Sequence, residues 1–454
     1  VTGGIGLFAG GDPGVWTSNA FQVPAVFASG NFSGADVTGN SIPASLLAAV
    51  AGGTPLAIDA IDPNFRIPSD WKASVRVEQE FDLVFGGLDL GRNYVATAQV
   101  IHSRSRDSFL WREAAQTNQA PFNQTGVAPD GRPIYADLQA LGVSNRTILT
   151  NDSGDESTTF TLSLANEFEN GFGFFAAYAN QDVQMITEGS SSRGISSLRG
   201  QVASDINFPD PRTSIYQVEH AFKLGLSYER DFIGDLATRF DLFGQINSGS
   251  PFTYTFSTSN TNALFGRPGG GENPFPNRPL YIPSQNDGAV VYASGFNLTG
   301  FNNFIDSQGI TRGAIHEVNS ATAPWQQRWD LRVQQDLPGI PGMDRLVGDN
   351  RFKLVLDIEN VLNLLNNSWG TRVNAPGNGQ RPIVAADLVS AADVAANGID
   401  GATALTGDAP RTTCLAASDC VYRYNTFIEN AAVTGFRSNP GSVWYARIGL
   451  RYEF

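Results

Sequence analysis

The segment Val443–Phe454, V-W-Y-A-R-I-G-L-R-Y-E-F, decides the fold, because its residues alternate between two kinds of side chain. Every second residue, beginning with Trp444, is apolar, and the residues between them include two arginines and a glutamate. A period of two residues is typical of a β-strand with one apolar and one polar face. The segment is also long enough to cross a bilayer as a tilted strand, which takes about 9–11 residues.

The same alternation predicts further strands throughout the chain. The nine predicted strands are Trp71–Phe85, Gly91–Ser103, Ser157–Phe168, Gly171–Met185, Ile215–Phe232, Asp235–Ser248, Trp325–Leu337, Arg351–Asn363 and Val443–Phe454. Weaker candidates are residues 1–10, Asp107–Arg112, Arg146–Asn151, Pro251–Phe256 and Tyr422–Ile428. Residues 11–70 are rich in Gly, Pro, Ser and Ala, which predicts a long loop with a short helix at Ile42–Val50. No run of about 18 apolar residues exists from which to build a transmembrane helix.

The connections between the predicted strands alternate in length. The long connections are Arg104–Glu156, Ile186–Ser214, Gly249–Pro324 and Leu364–Ser442. The short connections are Gly86–Leu90, Glu169–Asn170, Ile233–Gly234 and Pro338–Asn350. Transmembrane β-barrels combine short periplasmic turns with long extracellular loops. The chain is therefore predicted to be all-β, an antiparallel transmembrane β-barrel with long extracellular loops. A large β-sandwich is the alternative, with the aromatic residues in its core.

Two aromatic girdles are expected if the terminal strand ends in the periplasm, because the direction of every other strand then follows. The outer girdle comprises Trp71, Trp325 and Trp444. The inner girdle comprises Phe85, Phe168, Phe172, Phe232, Phe352 and Phe454. The opposite face of the strands carries charges of both signs, which indicates a polar lumen. It lacks the single-sign ring that would favour an ion-selective pore.

Composition and motifs argue against several other functions. The net charge of −14 argues against nucleic acid as a partner, because phosphate binding needs clustered Lys and Arg. His102, His220 and His316 are far apart and lack metal-ligand spacing. The sequence contains no nucleophile elbow, zinc-protease motif or phosphate-binding loop. We therefore expect neither an enzyme nor a bound cofactor or metal.

The predicted loops contain a pair of cysteines that could form a disulfide and a group of acidic residues that could bind a cation. Cys414 and Cys420 are six positions apart, which favours a local disulfide formed in an oxidising compartment. A zinc site would need further ligands, and no histidine is near. The acidic residues Asp152, Asp155 and Glu156 are interpreted as solvated loop charge, with calcium binding left open.

Four segments together make the chain resemble a known family. They are I-P-S-D-W-K-A-S-V-R-V-E-Q-E-F from Ile67; N-D-S-G-D-E-S-T-T-F-T-L-S-L-A-N-E-F-E-N-G-F-G-F-F-A-A-Y-A-N from Asn151, with the serine run from Gly189; A-P-W-Q-Q-R-W-D-L-R-V-Q-Q-D-L-P from Ala323; and L-D-I-E-N-V-L-N-L-L-N-N-S-W-G from Leu356, followed by the terminal strand. They span most of residues 60–454. With these segments the chain resembles the C-terminal barrel part of a TonB-dependent outer-membrane receptor of the Oar-like type.

The resemblance implies that residues 1–454 are the C-terminal portion of a barrel of about 22 strands in the outer membrane of a Gram-negative cell. The plug, the TonB-contacting segment, a carboxypeptidase-regulatory-like β domain, the export signal and a closing first strand are then expected before Val1. The implied function is to bind an external small solute or peptide and pass it to the periplasm, powered by the TonB complex of the inner membrane. Phe454 would be the residue presented to the barrel-assembly machinery. The alternatives are a passive porin or a peptide/protein export channel, and a secreted β-rich adhesin or glycan-binding protein.

Overall fold

The computed structural model describes residues 1–10, 14–21, 42, 44, 47–48, 57–118, 123–257, 264–269, 275–342, 350–405, 413–429, 436–437 and 441–454. Over these residues the chain is all-β, and most of its strand pairs are antiparallel. The helix predicted at Ile42–Val50 lies largely outside the described residues. None of the described helices is long and apolar enough to cross a membrane.

Ten strands follow one another in a single antiparallel sheet, and each pairs with its neighbours in the sequence. These strands are β1 Thr2–Ala9, β2 Ser69–Phe81, β3 Tyr94–Glu113, β4 Glu156–Glu167, β5 Phe172–Met185, β6 His220–Ile233, β7 Leu236–Asn247, β8 Gln326–Pro338, β9 Arg351–Glu359 and β10 Tyr445–Glu453. We call them the main sheet. Two further strands pair with its margin, Arg146–Asp152 with β3 and Arg212–Thr213 with β5, and Ile58–Ile61 pairs in parallel with Arg146–Asp152.

The antiparallel order places all long connections at one edge of the main sheet. The connections that follow odd-numbered strands are long, and those that follow β2, β4, β6 and β8 are short. Because neighbouring strands run in opposite directions, the long connections meet at one edge and the short ones at the other. We call these the long-connection edge and the short-connection edge.

All nine predicted strands are present, but several boundaries differ from the prediction. β3 continues past Ser103 to Glu113, because its outer part pairs with Arg146–Asp152. β9 ends at Glu359, since Asn360 adopts a left-handed φ of 56° and a short helix follows. Phe85 lies beyond the end of β2, in the small hairpin Val84–Phe85 with Leu88–Asp89. The weaker candidates are also strands, most of them with shifted ends, and residues 1–10 supply β1.

The register of the main sheet separates its side chains into two faces. Leu164, Ala176, Leu224, Gly244 and Trp329, for example, lie side by side across β4 to β8. This apolar face is exposed on eight of the ten strands, all but β5 and β8, and its exposed residues include Ile5, Trp71, Val75, Leu162, Phe222, Leu354, Ile448 and Leu450. The opposite face carries most of the charged residues of the strands, and we call it the charged face.

The long connections contain a second sheet. Its five strands run in the order Val290–Tyr292, Cys420–Phe427, Gln380–Ser390, Pro251–Ser257 and Ala321–Thr322. Two-stranded pairs join Gln124–Val127 to Pro133–Tyr135, Tyr281–Ile282 to Ala314–Ile315 and Val373–Asn374 to Phe436–Arg437. The described helices are Gly14–Asn19, Ala114–Asn118, Gly194–Gly200, Leu298–Ser307, Val361–Leu365 and Ala391–Asn397, with 3₁₀ turns at Gly377–Gly379 and Ala417–Asp419.

The largest hydrophobic core of the chain lies among these connections and not on the main sheet. Ile134 from the β3–β4 connection, Phe256 and Phe301 from the β7–β8 connection, and Tyr422 from the β9–β10 connection are all fully buried in it. Three long connections therefore fold around one core, and we call this region the loop module. A smaller cluster around Trp111 packs the outer end of β3 against the β5–β6 connection.

Candidate functional site

The charged face of the main sheet carries a ladder of ion pairs between neighbouring strands. Arg328 donates to Asp330 at 2.9 Å and to Glu359 at 2.8 Å. Arg332 donates to Asp357 at 2.6 Å. Further pairs join Arg239 to Glu229 and Asp241, Arg351 and Lys353 to Asp336 and Glu453, and Arg447 to Glu359. Charges of both signs therefore alternate over a hydrated surface that spans β6 to β10.

A cavity of about 580 Å³ opens beside this ladder on the charged face. Phe175 and Phe243 stand on either side of Gly225, with which both are in cross-strand register. The other lining residues are both polar and apolar, and they include Val95, Ala165, Glu167, Ser227, Asp241 and Leu242. The adjacent phenylalanines Phe174 and Phe175 disturb the predicted alternation of β5, and the structure places Phe175 on the charged face. The rings of Phe175 and Phe243 therefore stand among residues of mixed polarity.

The three tryptophans of the predicted outer girdle all lie at the long-connection edge. Trp71 is near the start of β2, and Trp325 and Trp444 immediately precede β8 and β10. Each is about half exposed. Trp325 stacks almost parallel on His220, with ring centroids 5.9 Å apart. The three residues therefore share one edge, as the predicted strand directions require.

The phenylalanines of the predicted inner girdle lie at the short-connection edge, where five of them belong to aromatic clusters. The ring contacts are Phe168 to Phe172 at 5.8 Å, Phe168 to Tyr94 at 5.9 Å, Phe232 to Phe240 at 6.3 Å, Phe352 to Tyr452 at 4.9 Å and Tyr452 to Phe454 at 5.6 Å. Phe85 is exposed in the β2–β3 hairpin. Sequence reasoning missed Tyr94, Phe240 and Tyr452, although strand register could have found Tyr452, which pairs directly with Phe352.

The three histidines occupy three separate environments. The His102 ring hydrogen-bonds to the Thr158 hydroxyl at 3.0 Å, and the His220 ring to the Tyr178 hydroxyl at 2.9 Å. His316 is buried in the loop module, where burial lowers its pKa to about 4. Within the described residues, no three His, Cys, Asp or Glu side chains lie close enough together to hold a metal ion.

Asp152 and Asp155 of the predicted acidic cluster are tied into the fold, which differs from their interpretation as solvated charge, whereas Glu156 is exposed. Asp155 accepts hydrogen bonds from the Ser108 hydroxyl and, at 2.7 Å, from the Ile186 backbone N–H. Partial burial raises the pKa of the Asp155 carboxyl. Asp152 pairs with Arg112 at 3.1 Å. These carboxylates therefore bridge the outer ends of β3 and β5.

Buried polar contacts hold the loop module in one arrangement. Cys414 and Cys420 form a disulfide inside its core, with Cα atoms 5.3 Å apart. Arg132 donates to the Asp130 carboxylate and, at 2.8 Å, to the Pro279 carbonyl, and its guanidinium lies 4.4 Å from the centre of the Phe265 ring. Neither charged side chain has appreciable exposure. A buried ion pair with these additional bonds fixes the β3–β4 connection against the β7–β8 connection.

Neither a family model nor a curated protein matches the chain. The resemblance to TonB-dependent receptors therefore stays a prediction from the residues that carry it. Three structural features bear on the function of the chain. They are the exposed apolar face, the ion-paired charged face and the folded loop module at one edge of the main sheet.

Proposed function

We propose that the main sheet is the wall of an outer-membrane β-barrel, with its apolar face toward lipid and its charged face toward a water-filled lumen. One observation carries the proposal, namely that large apolar side chains are exposed on one face of eight of the ten strands, all but β5 and β8, while the opposite face holds the ion pairs. Soluble monomers rarely expose a continuous apolar surface of that extent. A bilayer makes the same exposure favourable, because hydrocarbon surrounds those side chains.

The two edge strands of the main sheet, β1 and β10, need further pairing partners if the sheet lies in a membrane. Within the described residues β1 pairs only with β2, and β10 pairs only with β9. Unpaired backbone groups are costly in hydrocarbon, so lipid-exposed sheet edges are not tolerated. Both strands must therefore pair further in the membrane, as they would in the barrel of about 22 strands that the family resemblance implies.

The activity we propose is that of a TonB-dependent receptor, in which the loop module faces the outside and captures a small solute or peptide. The solute then passes along the lumen to the periplasm with energy from the TonB complex. Support comes from the four segments that resemble this family and from the loop module, whose shared core gives a receptor surface a defined shape. No covalent chemistry is assigned to the chain.

A passive porin or export channel is the second candidate. The charges of the lumen-facing side already pair with one another within the sheet, so this wall needs no further domain to neutralise it. Conductance across planar bilayers separates the two candidates. A steady open pore from the full-length protein indicates a passive channel, whereas a receptor closed by a plug conducts little.

Fractionation of native cells tests the membrane location. We expect the protein in the outer-membrane fraction, where it resists carbonate washing and requires detergent for extraction. Recovery of a stable monomer in plain buffer would refute the barrel and would favour a secreted adhesin.

A further inference from the structure

A cavity of about 590 Å³ opens on the loop module, away from the charged face of the main sheet. Its walls are residues 308–311, residues 314–317 and the strand Ala321–Thr322, which forms one edge of the five-stranded sheet. All three wall segments belong to the β7–β8 connection. The volume lies within the range of about 300–1,000 Å³ that is typical of small-molecule sites.

The floor of this cavity is aromatic and uncharged. Tyr254 lines it, with its ring edge-on to Phe304 at 5.1 Å and to His316 at 5.2 Å. Only 6% of His316 is exposed, and its Nδ1 has no hydrogen-bond partner within the described structure. Because burial lowers the pKa of His316, its imidazole is neutral at physiological pH and provides one donor and one acceptor.

The walls add neutral polar groups and one carboxylate. The exposed polar lining residues are Gln308, Thr311, Glu317, Ser320 and Thr322. None of the described lining residues is Lys or Arg. Of the nearby cations, Arg312 is held by Asp306 at 2.8 Å, and Arg381 is itself buried. The cavity therefore offers hydroxyl, amide and imidazole groups, and its described lining includes no Lys or Arg, although Arg381 lies near Tyr254.

We propose that this cavity binds a neutral carbohydrate. Sugar hydroxyls both donate and accept, which matches the hydroxyl and amide side chains of the walls. An anionic ligand would meet Glu317 and no Lys or Arg among the described lining residues. The inference rests on the proposed function, because it requires that the loop module face the external medium.

The test uses cysteine protection on intact cells with a membrane-impermeant maleimide. The described residues contain no free cysteine, so a Ser320→Cys variant introduces the reactive thiol at the cavity wall. Ser294→Cys is the matched control, because Ser294 is an exposed loop residue that does not line the cavity. The probes are maltose, cellobiose and N,N′-diacetylchitobiose, with trialanine and inorganic phosphate as ligands of other chemistry. The same measurements are repeated on detergent-solubilised protein.

We expect at least one sugar to slow labelling of Ser320→Cys and to leave Ser294→Cys unchanged. At a concentration about tenfold above its Kd the sugar should slow labelling about tenfold, because only the unoccupied site reacts. Adding His316→Phe keeps a buried ring beside Tyr254 but removes both ring nitrogens, and it should abolish the protection. The site is refuted if no sugar protects Ser320→Cys, if both variants are protected equally, or if only trialanine or phosphate protects.

The proposed orientation is judged separately by labelling without any ligand. If neither variant is labelled on cells but both are labelled in detergent, the orientation of the loop module is wrong, and the detergent measurements still decide whether the cavity binds a sugar. If both are labelled on cells and no sugar protects, the orientation stands and the sugar site fails.

Discussion

The main sheet and the loop module place their apolar side chains in opposite ways. The main sheet leaves Ile448 and Leu450 of β10 exposed and pairs its charges on the other face. The loop module buries Phe256 and Tyr422 completely and encloses an ion pair. One chain thus carries an apolar exterior in one region and an apolar interior in the other. This difference is the one that the proposed barrel requires, with hydrocarbon around the sheet and water around the loops.

A matched pair of phenylalanine truncations gives the largest expected effect. Phe256→Ala removes a fully buried ring from the loop module and should lower its free energy of unfolding by about 3–5 kcal/mol. Phe222→Ala truncates a ring on the apolar face that is 44% exposed, and it should leave the loop module unchanged. Hydrogen exchange followed by mass spectrometry, on detergent-solubilised protein, measures both. Equal loss of protection in the two variants would show that the regions do not differ in this way.

Breaking a buried ion pair should lower stability much more than breaking an exposed one, and this difference should be nearly as large as that between the two phenylalanine truncations. Arg132→Met strands the Asp130 carboxylate in the core of the loop module and should cost about 3–5 kcal/mol. Arg328→Met breaks pairs on the charged face whose members are partly exposed, and it should cost about 0–1 kcal/mol. Limited proteolysis of the β3–β4 connection reads out the first variant, and the thermal unfolding midpoint reads out both. A larger destabilisation by Arg328→Met would mean that the charged face is not hydrated.

The pH dependence of the outer end of β3 follows from Glu113, the last residue of that strand. Glu113 is fully buried, and burial raises its pKa from 4.5 to about 7, although its carboxylate accepts hydrogen bonds from the Arg146 and Ala115 backbone N–H groups. The folded state therefore binds the proton more tightly than the unfolded state. The stability of this region is then greatest below pH 4.5 and falls as the pH rises to about 7, by roughly 3 kcal/mol in total.

Glu113→Gln tests this assignment, because the amide keeps an acceptor oxygen for Arg146 and Ala115 but does not titrate. Hydrogen-exchange protection of residues 108–118 should fall between pH 5 and about 8 in the wild-type protein and stay level in the variant. An unchanged pH profile in Glu113→Gln would assign the titration to another group. Arg146 and Arg199 are the cations that act on this carboxyl.

The main sheet could be predicted from the sequence because its environment alternates with every residue. In β10 the residues from Ala446 to Tyr452 show the period of two directly, and the register then places each neighbour. In the main sheet, the periodicity did not predict where some strands end. β3 runs on to Glu113 because it meets a strand from its own long connection, a contact that periodicity does not encode.

The loop module could not be predicted in the same way, because its strands are buried on both faces. Gln380–Ser390 reads Q-R-P-I-V-A-A-D-L-V-S, without regular alternation, and it pairs in parallel with Pro251–Ser257, far earlier in the chain. The candidate cavity could not be predicted from the sequence for a related reason. His316 stands alone in the sequence, and its ring partner Tyr254 comes from the first strand of the same long connection.

The disulfide should have a smaller effect than Phe256→Ala or Arg132→Met, and it belongs to the loop module alone. Replacing both Cys414 and Cys420 by serine should lower the stability of that region by about 2 kcal/mol, because the bridge closes only a short loop. Alkylation without reductant should leave the mass of the wild-type protein unchanged, and two labelled thiols would refute the bridge. Hydrogen exchange should locate the loss around residues 413–429 and leave β8 to β10 unaffected. If the double serine variant instead loosened β9 and β10, the loop module would be supporting the main sheet, and the two regions would not be energetically separate.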